Sequence, residues 1–471
     1  MSQLATVAKP RRNTELVLLI LALLVGLFAN AMVNINLGRT FDSDFYSQGA
    51  VLTGLALAVH VSLRFRAKYA DPVILPLVVA LNGIGLAVIH RLDIANDESA
   101  GPRQWLWTTV AVAAAVAVIW LLRDHRRLRR YTYLSLVASV VLLILPLVPG
   151  ISAGEVNGAS VWISIGPFTF QPGEIAKITL AIFFAGYLSS NRDLILLAGK
   201  KVGPLQLPRA RDLGPMIVAW LASVGVLVFQ HDLGSSVLFF GLFMVMIYVA
   251  TSRISWVFIG LLLIGIGGFV AVRLFPHVAR RIDVWANAFS PEVIGSGGYQ
   301  VVQGLFGMAD GGLLGTGLGN GQPEIVPLAN SDMIIAAIGE ELGMAGLFAV
   351  VLMYVLLITR GFRAALGTRD SFGKLLAVGL SFAIALQCFV VIGGVTRLIP
   401  LTGLTTPFLA AGGSSLLANW IIVALLLLIS DAARRPIDTT APRPVPAHPK
   451  NQSPANETTA NQPTQKAVDA P

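Results

Sequence analysis

The sequence predicts an all-α polytopic integral membrane protein of about twelve transmembrane helices with one large extracytoplasmic loop. Three observations carry that expectation. Hydrophobic residues fill 55% of the 471 positions and charged residues only 13%, a balance that points away from soluble domains. Apolar runs of span length, about 20 helical residues, recur along the chain. Lys and Arg crowd every second connection between those runs and thin out in the others.

By hydropathy the spans are 14–36, 50–63, 72–90, 104–122, 132–150, 171–190, 214–230, 233–250, 254–275, 332–359, 373–396 and 404–430. The first follows Lys9, Arg11 and Arg12 and lacks a small-residue cleavage pattern, so it reads as a span rather than a removable signal. Arg64, Arg66 and Lys68 follow the second span, which is short, and the run from Arg123 to Arg130 follows the fourth. Arg192, Lys200, Lys201, Arg209 and Arg211 separate the sixth and seventh. Arg253 follows the eighth, Arg360 to Lys374 the tenth, and Arg434 and Arg435 the last. With twelve spans all of these fall on one side, which the positive-inside rule makes cytoplasmic, and both termini come out inside. The net charge of +9 therefore reports topology, not nucleic-acid binding.

The chain divides into a cytoplasmic N-terminus (1–13), a transmembrane domain (14–431) carrying a large extracytoplasmic loop (276–331), and a tail (432–471). From Pro436 onward the tail holds eight of the 25 prolines among Asn, Gln, Thr and Ala. It cannot bury a core and reads as disordered and cytoplasmic. The single cysteine, Cys388, excludes an intramolecular disulfide and a CxxC metal site.

Residues able to do chemistry gather on the side opposite the basic connections. Glu174 and Lys177, at i,i+3 in QPGEIAK, share one face near a helix start. An ionisable pair inside a span marks either a functional site or a buried pair that holds helices in register. Asp232, in QHDLGSS, is placed to cap the following helix. The segment RLIPLTGLTTPFLAAGGSSLLANW (397–420) reads as broken helix, tolerated at membrane depth where it lines a cavity or is buried in protein. Its Arg397 can meet an anionic headgroup or reach to the interface.

The long loop is densest in such groups. Arg280 and Arg281 are placed to pair with a lipid pyrophosphate. Asp283, Glu292, Asp310, Glu324 and Asp332 offer carboxylates for general-base work or for a divalent cation, Mg2+ or Mn2+. Glu340 and Glu341 follow about two turns beyond Asp332, so at least one must face the protein interior or a wet cavity. GTGLGNG (315–321) has the glycines of a phosphate loop but neither its Lys-Ser/Thr ending nor a preceding strand.

Taken together these segments resemble the SEDS family of RodA and FtsW, the polytopic peptidoglycan polymerases. The resemblance runs from about Asn157 to Asn419 through QPGEIAK, HDLGSSV, GYQVVQ, GTGLGNGQ, NSDMIIAAIGEELG and TGLTTPFLAAGGSSLL. The two additional N-terminal spans, HRLD at 90–93 and TRDSFGKLLA at 368–377, look like the actinobacterial RodA branch. The resemblance implies an inverting glycosyltransferase that uses lipid II as donor and acceptor, serves cell elongation and shape, and works with a class B penicillin-binding protein. A carboxylate would deprotonate the acceptor's GlcNAc 4-hydroxyl, and undecaprenyl pyrophosphate would leave the donor. It also implies that Glu174, Lys177, Tyr299, Gln300, Glu340, Glu341 and Arg397, with Arg280 and Arg281, bind substrate.

One segment departs from the pattern. The family's W-L-[DN]-P-[FW]-x-D-P-x-G-x-GYQ appears here as Trp285 to Gln300 with about two extra residues. Asn287 stands at the first acidic position, and the second Asp is absent. Glu292 is the nearest carboxylate and the expected general base, with Asp283 in reserve and Asp332 next. A lipid II flippase and a weakly catalytic scaffold for the penicillin-binding protein are the rival readings; polymer formation by the purified protein separates them.

Overall fold

The computed structural model describes residues 9–155, 158–166, 168–197, 200–202, 205–207 and 210–436. Residues 1–8, Asn157, Arg209, the tail from 437 and the side chains of Lys200, Lys201 and Arg211 lie outside what is described.

Five helical spans come first: α1 (Arg12–Asn36), α2 (Ser43–Arg66), α3 (Ile74–Asn96), α4 (Ala100–Leu121) and α5 (Thr132–Ile144), the last extended by 3-10 turns to cover 125–147. A short hairpin, β1 (Ile163–Ile165) and β2 (Phe168–Phe170), leads into α6 (Gly173–Leu197). A second hairpin, β3 (Lys200–Val202) and β4 (Leu205–Leu207), joins α6 to α7 (Ala210–Phe229). Then come α8 (Leu233–Thr251) and α9 (Ser255–Leu274), and the loop elements α10 (Pro276–Ala286), α11 (Pro291–Val293), α12 (Tyr299–Gly311) and α13 (Ile334–Glu341). The chain closes with α14 (Gly343–Gly367), α15 (Ser371–Val395) and α16 (Gly413–Arg434). Among the described residues ten helical spans are long and apolar enough to cross a membrane. Helices α6 and α7, of 25 and 20 residues, stand at the other two expected positions.

Two boundaries move furthest. The tenth span begins at Gly343 rather than 332, because the chain breaks between α13 and α14. The twelfth begins at Gly413 rather than 404, since residues 396–412 are irregular.

In lipid the hydrophobic effect gives little drive between helices, and close packing at small residues takes over. Helix α1 lies against α3, and a Cβ on Gly26 would sit 3.0 Å from the Gly83 Cα. The centre is α3, α15 and α16, whose buried faces include Trp420, Phe372 and Leu81. In contrast α9 buries only Gly260 and faces outward almost all round.

Contacts between connections confirm which ends coincide. At the basic end Tyr69 N–H donates to Asp431 (2.8 Å), Arg66 to the Trp120 carbonyl (2.8 Å), and His125 and Arg126 meet Asp370 (3.0 and 3.3 Å). At the loop end Asn36 donates to the Leu318 carbonyl (2.6 Å), Ser160 N–H to the Gln230 carbonyl (3.0 Å), and Asn330 to Glu98 (3.0 Å).

Candidate active site

Helix α6 starts where the β1–β2 hairpin docks. Phe170 stacks on Trp107 of α4, and Gln171 N–H donates to the Ser414 hydroxyl at the start of α16 (2.9 Å). That fixes Glu174 and Lys177 inside the bundle, 6% and 2% exposed, as an ion pair at 2.5 Å. Lys177 also donates to Gln387 of α15 (2.9 Å), and Gln387 donates on to the Thr405 carbonyl (2.9 Å). The pair thus ties α6 to α15 and to the irregular segment before α16.

Arg281, on α10, reaches that same irregular segment. Its guanidinium donates to the Thr402 carbonyl (2.8 Å) and, more weakly, to that of Leu401 (3.4 Å). Asp332 approaches from the other arm of the loop. The two side chains converge on Gly403, whose absent Cβ would lie 3.7 Å from Asp332 Oδ2 and 4.0 Å from Arg281 Nη2. Burial pushes the Asp332 carboxyl up to about 6 although the Arg281 charge acts the other way. Nearby, Asp232 caps α8 through Ser235 N–H (2.9 Å), as expected, and His231 and His277 lie 4.8 Å apart, centroid to centroid. The arrangement offers a half-buried carboxylate poised near neutral pH beside a fixed guanidinium, suited to moving a proton next to a developing phosphate anion.

The other arm is more open. Asp283 is exposed and accepts from Asn287 (2.8 Å), its neighbour one turn on. Glu292 is exposed in the first turn of α11 and has no ion pair among the described residues. The Arg280 guanidinium lies over Gly297, where φ is +131°. Tyr299 stands exposed at the start of α12, while Gln300 donates to the Pro327 carbonyl (3.1 Å). Among the described residues no hydrogen bond or ion pair joins Glu292, Asp283 or Arg280 to the Arg281–Asp332 couple.

Three expected substrate ligands have other work. Glu341 accepts from Arg91 of α3 (2.8 Å) and from Gly319 N–H (3.1 Å), and Glu340 accepts from Gln322 N–H (2.5 Å). Both are buried, as a bilayer position demands, and they hold the glycine loop. That loop closes the break between α13 and α14. Thr316 and Gly317 N–H groups cap the Glu340 and Glu341 carbonyls (3.0 and 2.9 Å), while Met344 and Ala345 N–H groups find the Gly312 and Leu313 carbonyls (2.9 and 3.0 Å). Helix ends at membrane depth leave polar groups that must be paired, and here each end is capped by the loop backbone. Gly315 and Gly343, with φ of +83° and +66°, allow the approach, since a Cβ on either would run into the other strand's backbone. Arg397, the third, donates to the Trp285 and Ala286 carbonyls (2.8 and 2.9 Å) and lies over Phe289. It braces the end of α10 rather than standing free for a headgroup.

Sequence reasoning missed Arg91, which also pairs with Glu324 (3.0 Å) and the Gly321 carbonyl (2.6 Å), and Gln387. Helix α3 runs past the expected end at 90, so Arg91 is an arginine inside a helix, a signal that calls for a buried carboxylate partner. Among the described residues no three His, Cys, Asp or Glu side chains are grouped to hold a metal ion.

A family profile of the cell cycle proteins FtsW, RodA and SpoVE matches residues 72–435. Over 451 residues, 94% of each chain, the sequence is 48% identical to the peptidoglycan glycosyltransferase RodA of Mycobacterium tuberculosis. Over 375 residues, 77% of this chain and 98% of the relative, it is 35% identical to the stage V sporulation protein E of Bacillus subtilis. Among solved structures it is similar to a chain of a peptidoglycan synthase complex that coordinates polymerization and crosslinking (TM-score 0.62, 26% identity, 77% of this chain and 98% of that one). It is also similar to RodA of Thermus thermophilus (TM-score 0.51, 25% identity, 77% of this chain and 96% of that one). The profile begins just past α2, so α1 and α2 stand outside it, although the mycobacterial relative spans nearly the whole chain. With the profile covering more than half its length, this multi-pass membrane protein belongs to the FtsW/RodA family.

Proposed function

We propose that the chain is a peptidoglycan glycosyltransferase that polymerises lipid II at the outer face of the cytoplasmic membrane, serving cell elongation and shape. The observation that carries this is the 48% identity, over 94% of both chains, to relatives named for that activity. The basic end faces the cytoplasm, with both termini, and the loop end faces out. A class B penicillin-binding protein is the expected partner, supported by the likeness to a chain of a peptidoglycan synthase complex.

In the reaction a carboxylate takes the proton of the acceptor GlcNAc 4-hydroxyl. The oxygen attacks C1 of the donor MurNAc, and undecaprenyl pyrophosphate departs with inversion. Geometry favours Asp332 as the base, with Arg281 next to it for the departing pyrophosphate. General-base help of this kind is worth about a hundred- to ten-thousand-fold. Glu292, at the loop position that the family resemblance points to, is the competing assignment, favoured by its unpaired and accessible carboxylate. Any need for Mg2+ or Mn2+ is assigned to the substrate's pyrophosphate rather than to a protein-built site. Polymer formation from lipid II by the purified protein, with and without its transpeptidase and with and without EDTA, tests the reading. Movement of labelled lipid between leaflets without polymer would favour the flippase instead.

A further inference from the structure

At the basic end, far from the Asp332 crevice, the start of α1 and the end of α2 flank an open pocket of about 490 Å3. Its volume falls in the range of about 300–1,000 Å3 usual for small-molecule sites. Arg11, Arg12, Asn13, Thr14, Arg64 and Lys68 line it. The neighbouring arginines at this end are committed to carboxylates: Arg12 to Glu15, and Arg360 and Arg434 to Asp71. Arg11, Arg64 and Lys68 form no ion pair among the described residues. The pocket therefore carries uncompensated positive charge.

The start of α1 also points to an anion. Arg11, the N-cap of α1, makes no side-chain cap, so the first N–H groups of the helix stay available at its positive end. Arg12, 4% exposed, closes the inner wall of the pocket with its guanidinium turned to Glu15 and the Ala70 carbonyl, so the free charge of the pocket is that of Arg11, Arg64 and Lys68. The wall also holds Phe65, 67% exposed, on the outward side of α2. An inorganic anion would gain nothing from that ring, whereas an acyl-bearing headgroup would.

We propose that this pocket binds the phosphate of an anionic phospholipid headgroup and seats the α1–α2 pair on the membrane surface. Basic pockets between transmembrane helices bind such headgroups through the same donors. Only the choice of leaflet rests on the orientation proposed above, because headgroup binding is read whichever way the protein faces.

The test is native mass spectrometry of the purified full chain titrated with phosphatidylglycerol, phosphatidylcholine or inorganic phosphate. Each basic residue near an anionic surface is worth on the order of a fivefold factor. Replacing Arg11, Arg64 and Lys68 together by Ala should weaken phosphatidylglycerol retention at least about tenfold. Replacing Arg123, Arg127 and Arg130 by Ala removes the same charge from the same end and should change it by less than about twofold. Should the pocket variant fold poorly, the milder Arg64→Gln, Lys68→Gln double, which leaves the buried Arg12–Glu15 pair intact, should still show a loss of at least about fivefold. Equal losses in the pocket and control variants would mean diffuse surface attraction and overturn the site. Equal retention of phosphatidylcholine, or displacement of the lipid by an equimolar amount of inorganic phosphate, would overturn the lipid assignment.

Discussion

In the outgoing arm of the loop, from α10 to α12, the carboxylates Asp283 and Glu292 stand exposed, one bonded only to its own helix and the other to nothing described. In the returning arm, 316–341, every carboxylate is placed by the fold: Glu324 and Glu341 by Arg91, Glu340 by the Gln322 N–H of the same arm, Asp332 beside Arg281. Exposed carboxylates change partners freely. Carboxylates held in low dielectric acquire either a fixed partner or a raised pKa. The difference separates groups that substrate must organise from groups that the fold has already organised, and among the latter only Asp332 lacks a fixed hydrogen-bonded partner among the described residues.

The comparison fails outright if the arms are on the wrong side of the membrane. A cysteine placed at Gly312, exposed between the arms, with Cys388 removed, should react with an impermeant thiol reagent in intact cells. Labelling only after permeabilisation would reverse the topology.

Next in size is the catalytic contrast. Asp332→Asn should lower lipid II polymerisation by about two to four orders of magnitude, while Glu292→Gln should cost less than about tenfold. The opposite ranking returns the base to the outgoing arm. Arg281→Ala should act on turnover more than Arg280→Ala, since only Arg281 is fixed beside Asp332.

The held side of the comparison is sharpened by Arg91. Arg91 and Glu341 are 2% and 1% exposed on their side chains, so Arg91→Ala leaves a buried carboxylate unpaired. Removing one partner of such a pair costs about 3–5 kcal/mol, which should appear as a lowered melting temperature. An unchanged melting temperature would show that the glycine loop is held by its backbone bonds alone.

The smallest effect concerns pH and stability. Asp332 binds its proton up to about 6 in the folded protein, against 3.8 for a free carboxyl. Between those values the folded state holds a proton that the unfolded chain has released, so stability falls as pH rises through that window. Asp332→Asn should therefore melt no lower than wild type at pH 7.5, despite its loss of activity. A marked loss of stability in Asp332→Asn would make the residue structural.

The fold was legible because membrane spans announce themselves by length and charge alternation, and ten of the expected spans are helices long and apolar enough to cross a membrane among the described residues. The two largest shifts fell where helices break: the runs 333–339 and 404–412 are largely apolar, while backbone pairing changes. The Glu174–Lys177 pair was legible for the same reason, as charges inside apolar runs need each other. Long-range partners were not. Nothing local in EELG or HRLD states that Glu341 meets Arg91, 250 positions away, and the glycine loop's capping role depends on a helix break that hydropathy does not register. The resemblance drew attention to Glu292 through a spacing that this chain alters, whereas Asp332 gains its environment only from tertiary contact.

The most direct measurement is the pH dependence of lipid II polymerisation by the purified full-length protein with its transpeptidase. If Asp332 is the base, polymer forms and kcat/KM rises with an apparent pKa near 6, a limb that disappears in Asp332→Asn and survives in Glu292→Gln. An ascending limb that disappears in Glu292→Gln and survives in Asp332→Asn, or no polymer at any pH, would contradict the account.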